Sequence, residues 1–531
     1  MRLVLSAQTT AGDLLLTDGD ALDLGDRVAL PGLGVEGDTG EALAWLSDSP
    51  VERSIRVQVL AAGGLELDGR AELSRVPEGG TWRDRQVIAA GRLDELQADE
   101  TSWSASIVED PYDDRGLLLE EGAAVGPLTW PRTDAQRAAD GWPAYSTSPA
   151  TRSTRIEGAP YPVVIGCPAG DVTITPGGLL WTGSLPGSPG LYVELTSSTT
   201  QIDDHVILLS CPPVTATHVE WAVVGSGSTG SHREPVVLGH DGQGRAVSLL
   251  SPGGSGSIPA DDDAEIWIAW TAADGGGIAD PYGPGMLRRA DHVIRWALER
   301  STLRIDRRQM ARLSALSAIQ IDTAITAQVV PWAWLRSEVL PLLPVSVCSG
   351  PDGLYLYPWH IASRAAAVGR LEVELDCERL TPYTRARLDP VTRLSVLYAL
   401  DARAGRPAMR WTVAGRRRPT DIGDGAVGLD YWAARAYTVH GERAEEITAA
   451  VVTDTASAQQ IATWRVRAAC TPSWSVQVQV PGDTEYRPGD VLRLVDVSMG
   501  LDVAVQVSAV VYTAGASVID LRHWASSGAT E

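Results

Sequence analysis

The sequence predicts a mainly β, multidomain α+β protein in which one helical block interrupts long stretches of strand. Three observations lead there. The chain has 531 residues, more than a single core accommodates, so two to four domains are expected. Most of it alternates apolar and polar residues, or breaks into short apolar runs between Gly, Pro and Asp clusters. Only residues 283–360 hold helical spacing over several turns.

Taken in order, residues 1–125 read as a first β-domain. Residues 54–60 alternate, with Ile55, Val57 and Val59 on one face. Leu65, Leu67 and the runs 85–90 and 102–108 suggest further strands, punctuated by Asp and Gly clusters at 18–20 and 79–80. Residues 126–282 combine a turn-rich linker, marked by Pro127, Pro131, Pro143 and Pro149, with an inserted β-domain. Its strands are expected at 161–165, 191–195, 205–210, 219–224 and 265–270, with Gly/Ser/Pro-rich stretches such as 225–231 and 252–259 as exposed loops.

Residues 283–375 form the helical, α+β domain. Leu287, Ala290, Ile294, Ala297 and Leu298 recur at helical spacing. Asp306 stands as an N-cap before Met310, Leu313 and Leu316. Pro331 suits the first position of a third helix carrying Trp332, Leu335 and Val339. A turn at 350–353 leads into a strand at 354–357, closed by Trp359. Residues 376–531 return to strand with one helix, expected over 457–469 with Ile461, Trp464 and Ala468 on one face. Residues 473–480 then alternate strictly, Trp474, Val476, Val478 and Val480 opposing Ser475, Gln477 and Gln479. Further strands are expected at 491–495, 503–511 and 518–521. The residues singled out as core or interface are Leu287, Ile294, Leu298, Trp332, Leu335, Val339, Trp359 and Trp464.

Composition excludes several functions. A net charge of −23 argues against a nucleic-acid binder that works by neutralising phosphates. No apolar run reaches the roughly 18 residues of a membrane span, and the start is too short and too soon polar for a secretory h-region. Phe, Lys and Asn are absent and all 44 basic residues are Arg, so no lysine amine is available for catalysis.

No ordered catalytic set emerges. His232, Glu234 and His240 lie in what reads as a Gly/Ser-rich loop, a poor frame for a structural metal. Cys348 and His360 flank the 350–353 turn, where a buried small residue is the simpler reading of the cysteine. Asp261–Asp263 with Asp274 lack a calcium-loop order. Glu109, Asp110, Asp113 and Asp114 read as a solvated acidic turn rather than a glycosidase pair. Arg416–Arg418 is the sole basic cluster: a contact for an acidic neighbour or an exposed hairpin tip. The 18 Trp could line a sugar platform, but most fall on strand or helix faces where they serve as core. No enzyme activity, metal or cofactor is expected.

Four segments in order carry a resemblance. They are SASIVEDPYDDRGLLL at 104–119, GAPYPVVIG at 158–166, the helix at 453–464 and P-G-D-V-L-R-L-x-D at 488–496, and the helical block, with its W-x-W-L run and closing Trp359, carries the resemblance as well. Together they resemble the tail hub proteins of tailed bacteriophages. The resemblance implies two tail-tube-like β-barrel domains, at 1–125 and 376–531, joined by the other two. It implies a homotrimer whose six barrels match a sixfold tail tube above and a threefold tip below. Implied partners are a distal tail protein, the C-terminus of a tape measure protein and a central tail fibre or tip protein. DNA would pass through the lumen without specific binding, and the chain would sit at the virion's tail tip after assembly in the host cytoplasm. The alternative is a β-rich tail-tip adhesin or glycan-binding module.

The five cysteines, at 167, 211, 348, 377 and 470, show no C-x-x-C pairing or framework spacing. Free thiols are predicted: mass spectrometry after non-reducing unfolding should find five alkylated cysteines, and any defined disulfide would refute this.

Overall fold

The computed structural model describes residues 2–9, 12–17, 20–24, 28–31, 33–36, 41–42, 53–59, 67–76, 79, 81, 83, 86–98, 103–109, 114–119, 129–131, 145–147, 161–168, 193–194, 201–203, 206–224, 230–240, 244–250, 265–270, 276–325, 328–350, 353–358, 367–386, 389–401, 406–418, 421, 427–482, 484, 486–513 and 516–525. The chain is a multidomain, β-rich protein with few helices. All five cysteines are buried, and none forms a disulfide.

The first sheet has nine strands in the order Leu22–Asp23, Val28–Pro31, Gly12–Thr17, Arg2–Thr9, Leu67–Val76, Gln86–Ala98, Trp103–Glu109, Arg53–Val59 and Leu33–Glu36. All its pairings are antiparallel except that of Gly12–Thr17 with Val28–Pro31. Val4, Leu15, Leu24 and Val76 form a buried cluster on it.

The second sheet draws on residues 129–270. Its main path is Val193–Glu194, Glu265–Trp270, His218–Val224, Gly230–His240, Ala246–Leu250, Val206–Ser210 and Gln201–Asp203. Here one expectation fails. His232, Glu234 and His240 lie on the strand Gly230–His240, not in a loop, because its residues from Gly230 to Pro235 pair in register with His218–Val224. Among the described residues no group of three His, Cys, Asp or Glu could hold a metal, and no helix is long and apolar enough to cross a membrane. Asp261–Asp263, Asp274, Trp359 and His360 lie outside the described residues.

The helical block begins with Ala290–Leu298, whose Ala290, Val293, Ile294, Trp296, Ala297 and Leu298 are buried. Leu287 precedes this helix, buried, with its amide donating to Ile278 O. The second helix is a 3-10 segment, Gln309–Leu316, rather than an α-helix capped by Asp306. Asp306 instead accepts from the Arg308 amide and forms the turn that feeds the segment. The third helix starts at Pro331 as expected, but only Pro331–Trp334 is α. It widens into a π-turn at Leu335–Val339 and tightens to 3-10 at Leu340–Leu342. Pro341 has no N–H to continue the ladder, and the local repeat adjusts around it.

Residues 376–531 hold parts of two sheets. An eight-stranded sheet runs Gly369–Glu372, Val491–Asp496, Leu501–Thr513, Ala516–Trp524, Ser473–Pro481 and Glu378–Arg379, with Thr384–Arg385 also on Ser473–Pro481 and Glu41–Ala42 on Leu501–Thr513. Between Thr384–Arg385 and Ser473–Pro481 the chain builds an α/β unit. Its four strands are ordered Val427–Leu429, Arg406–Ala414, Arg393–Asp401 and Ala444–Ala449, packed with helices Tyr431–His440 and Thr455–Cys470. The first of these helices was not expected. Asp430 caps it, accepting from the amides of Trp432 and Ala433, and Gly441 ends it at φ 72°.

One apolar cluster runs from Leu118 and Val163 through the helical block into this α/β unit, ending at Cys470. A second fills the eight-stranded sheet with Val476, Val478, Leu492, Leu494, Val505, Val507, Ile519 and Leu521. Leu335, fully buried within the first cluster, is its test. Leu335→Ala should cost about 2–5 kcal/mol of stability in denaturant titration, as buried leucines do elsewhere; a change under about 0.5 kcal/mol, the range of surface substitutions, would contradict this packing.

Candidate functional site: a clasp around the helical block

The segments singled out by motif converge on the helical block. The first reaches it through Asp114, the acidic residue of the D-R pair. Its Oδ1 accepts from the Thr302 amide at 2.8 Å and from the Gly116 amide at 2.8 Å. Its Oδ2 accepts from the Trp332 amide at 2.9 Å, in the first turn of the third helix. A carboxylate there also suits the positive end of the helix. Asp114 was expected to be a solvated acid; it is instead committed to backbone donors. The next residues run along the block as a strap. The Leu118 amide donates to Val329 O, and Gln328 holds the backbone of Leu119 from both sides, accepting from its amide and donating to its carbonyl. Leu118 and Leu119 are buried in the large cluster.

The second segment contributes Val163–Ile165, paired antiparallel with Thr323–Ile325. Just beyond lies Asp322, with no exposed side-chain surface. Its Oδ1 accepts from Arg288 Nε at 2.6 Å and from the Cys167 amide at 2.9 Å. Its Oδ2 accepts from Arg288 Nη2 at 3.1 Å and from the Thr453 hydroxyl at 2.6 Å. The Asp322 amide itself donates to Val451 O. Burial is the largest influence on this carboxyl and raises it above the usual carboxylate range, against the pull of Arg288, Thr453 and the Cys167 amide. The fork geometry with Arg288 is the bidentate one that makes guanidinium–carboxylate pairs strong. Gly166, at φ 62°, is required here: a Cβ on it would stand 2.1 Å from Asp322 Oδ1.

The third segment supplies Thr453 to that centre and then Asp454, which caps Thr455–Cys470 through the Ser457 amide. Farther along, Trp464 is half-buried and donates from Nε1 to Leu342 O at 3.2 Å, while Arg465 donates to Pro341 O. These two side chains take up carbonyls at the irregular end of the third helix. The fourth segment docks the eight-stranded sheet. Asp490 receives Arg312 of the 3-10 helix, and Arg487 in turn reaches Asp306 at 3.0 Å. Gly489, at φ 92°, lies against the Tyr357 ring, where a Cβ would come within 2.6 Å.

Of the residues predicted as core or interface, Leu287, Ile294, Leu298, Trp332, Leu335 and Val339 are buried together in one cluster. Trp464 is half-buried, its indole bonded to Leu342 O. Arg416 and Arg417 are exposed, while Arg418 is ion-paired with Glu442. The sequence reading missed Asp322, Arg288 and Gln328. Only Gly166, conspicuous after an apolar run, hinted that something approaches the backbone there.

No protein-family model matches the chain, and no curated protein matches it. Among solved structures it is similar to a prophage tail protein from Listeria monocytogenes, at 10% identity over 98% of this chain and 94% of that one, with a TM-score of 0.31. It is similar to a tail protein of prophage MuSo2 from Shewanella oneidensis, at 9% identity over 98% and 97% of the two chains, TM-score 0.30. A tail protein from Neisseria meningitidis matches at 11% identity over 57% of this chain and 96% of that one, TM-score 0.27.

The Asp322 centre sets a stability prediction. Asp322→Asn withdraws the carboxylate charge from a largely buried guanidinium and should cost about 3–5 kcal/mol. Gly166→Ala, which forces a side chain into the same space, should also destabilise the chain. Chemical unfolding checks both, and wild-type stability in either variant would remove the centre from the account.

Proposed function

We propose that this chain is a structural protein of a tailed phage virion, the tail-tip hub. In this reading three copies form a closed ring that joins a sixfold tail tube and its distal tail protein to a threefold tip or central fibre. The ring leaves a channel for DNA, with the C-terminus of a tape measure protein reaching into it. The chain acts by holding shape, without catalysis.

The observation that carries the reading is the convergence of the motif segments. The stretches that resemble the hub family in sequence, 104–119, 158–166, 453–464 and 488–496, all meet the helical block, through backbone-directed, buried or ion-pair contacts. A shared frame of that kind explains why these segments share a pattern while the regions between them do not. A further pairing supports a side-by-side placement of the regions 1–125 and 376–531. Backbone at Glu41–Ala42, from the first region, pairs antiparallel with Val510 and Val511 of the eight-stranded sheet. Rings built from strands suppress the open edges that otherwise invite aggregation, and closed symmetry is how oligomers achieve it.

Charge gives the channel its lining. Three copies of a chain at −23 are costly to bring together unless the charge faces solvent or a passage. Acidic walls let DNA slide, whereas a basic wall would hold phosphates. Electron microscopy of particle-bound protein should therefore reveal three copies around a channel whose wall carries more Asp and Glu than Arg. A monomer or dimer in the particle would overturn the ring, and a net basic lumen would overturn the electrostatic argument.

A further inference from the structure

The eight-stranded sheet carries an open cavity of about 610 Å³ on its polar face, within the size range of small-molecule sites. It borders the clasp at Tyr357, the ring against which Gly489 packs. Its floor is set by cross-strand register. Gln477 lies opposite Asp520, and Ser475 opposite Arg522. On its other side Arg522 faces Gln506. Both cross-strand neighbours of the guanidinium are therefore neutral. Arg522 makes one long contact, 3.5 Å, to the Ser473 hydroxyl and lies over the Trp524 ring at 4.8 Å. Among the described residues no carboxylate stands within ion-pair distance of it. Burial pulls this guanidinium below the usual arginine range, as expected of a cation taken out of water without a counter-charge.

Asp520 presents the complementary deficit. One of its oxygens is buried without a hydrogen-bond partner, and burial raises its carboxyl, with Gln477 alongside lowering it. A buried acceptor left unmade is costly, and its chemistry asks for a hydroxyl or amide donor. Trp524, on the same strand face as Arg522 and beneath its guanidinium, supplies an apolar wall, and Thr384 and Gln477 add neutral polar groups at the rim.

We propose that this cavity binds a sugar acid, its carboxylate received by Arg522, its hydroxyl groups by Asp520 and Gln477, and its apolar ring face by Trp524. A bare dianion fits less well. Asp520 lies on the same strand face two residues from Arg522, and its carboxylate would repel phosphate while accepting from a hydroxyl. A neutral sugar leaves the guanidinium uncompensated. A molecule bearing both one carboxylate and several hydroxyls meets both deficits at once. The proposal is independent of the hub reading and stands or falls by its own test.

The test is isothermal titration of the full chain at neutral pH with sodium glucuronate, glucose, sodium acetate and sodium phosphate as probes. Glucuronate should bind roughly tenfold or more tightly than either glucose or acetate, the scale of one charge-assisted contact. Arg522→Gln should abolish the advantage over glucose. Because Arg522 is half-buried, Gln477→Ala, at an exposed strand position, provides a second variant that should weaken glucuronate binding while leaving acetate unaffected. Acetate or phosphate binding as tightly as glucuronate would overturn the sugar assignment in favour of a plain anion. Absence of glucuronate binding to the wild-type chain, or binding that neither variant alters, would overturn the site.

Discussion

The structure depends on one buried carboxylate. Asp322 is enclosed by donors from three other segments: Cys167 beside the inserted β-region, Arg288 at the start of the helical block and Thr453 at the entry to the last helix. Taking a carboxylate and a guanidinium out of water costs several kcal/mol each before their attraction is counted. The cost is met only when every lone pair has a donor, and here both oxygens have two. Such a centre contributes less to net stability than to uniqueness: any other docking of these segments would strand a charge in an apolar interior. Apolar contacts alone would tolerate small shifts between the sheets and the block.

Around that centre the clasp uses side chains on backbone. Asp114, Gln328, Asp430 and Asp454 each satisfy amides or carbonyls that helix ends or irregular segments leave open. The third helix illustrates the need. Its passage from α through π to 3-10 geometry leaves carbonyls at Pro341 and Leu342, and Arg465 and Trp464 occupy them. The eight-stranded sheet is held differently, by ion pairs across a seam, Arg312 with Asp490 and Arg487 with Asp306. These are partly exposed, so they orient the sheet more than they stabilise it. The result is a helical block with β-structure attached on several sides.

Strands with one buried face were legible in the sequence because period-two alternation is a direct imprint of burial. Ser473–Pro481 lies where alternation put it, and Glu265–Trp270 where a short apolar run between loop signals put it. Pro331 marked its helix for a similarly local reason. The α/β unit was not legible. Two of its pairings are parallel, Arg393–Asp401 with Ala444–Ala449 and Arg406–Ala414 with Val427–Leu429, and parallel partners are joined by long crossovers that leave no hairpin signal. The helix Tyr431–His440 is rich in aromatic and β-branched residues, poor helix formers, and only Asp430 and Gly441 at its ends announced it. Asp322 was invisible for a deeper reason. Its partners stand 34, 131 and 155 residues away, and a lone Asp after Ile321 reads as a turn until the fold brings those donors to it.

If the clasp is one cooperative unit, its parts should open together. Native-state hydrogen exchange of the full chain measures this directly through the amides of Leu118, Cys167, Asp322 and Trp332, all donors within the clasp. The account predicts that the four exchange through a single opening with one common free energy, near that of global unfolding. Exchange of Leu118, Cys167 and Trp332 by local fluctuation, while Asp322 stays protected, would show that the strap and the β-region merely rest on the helical block, and would contradict the account.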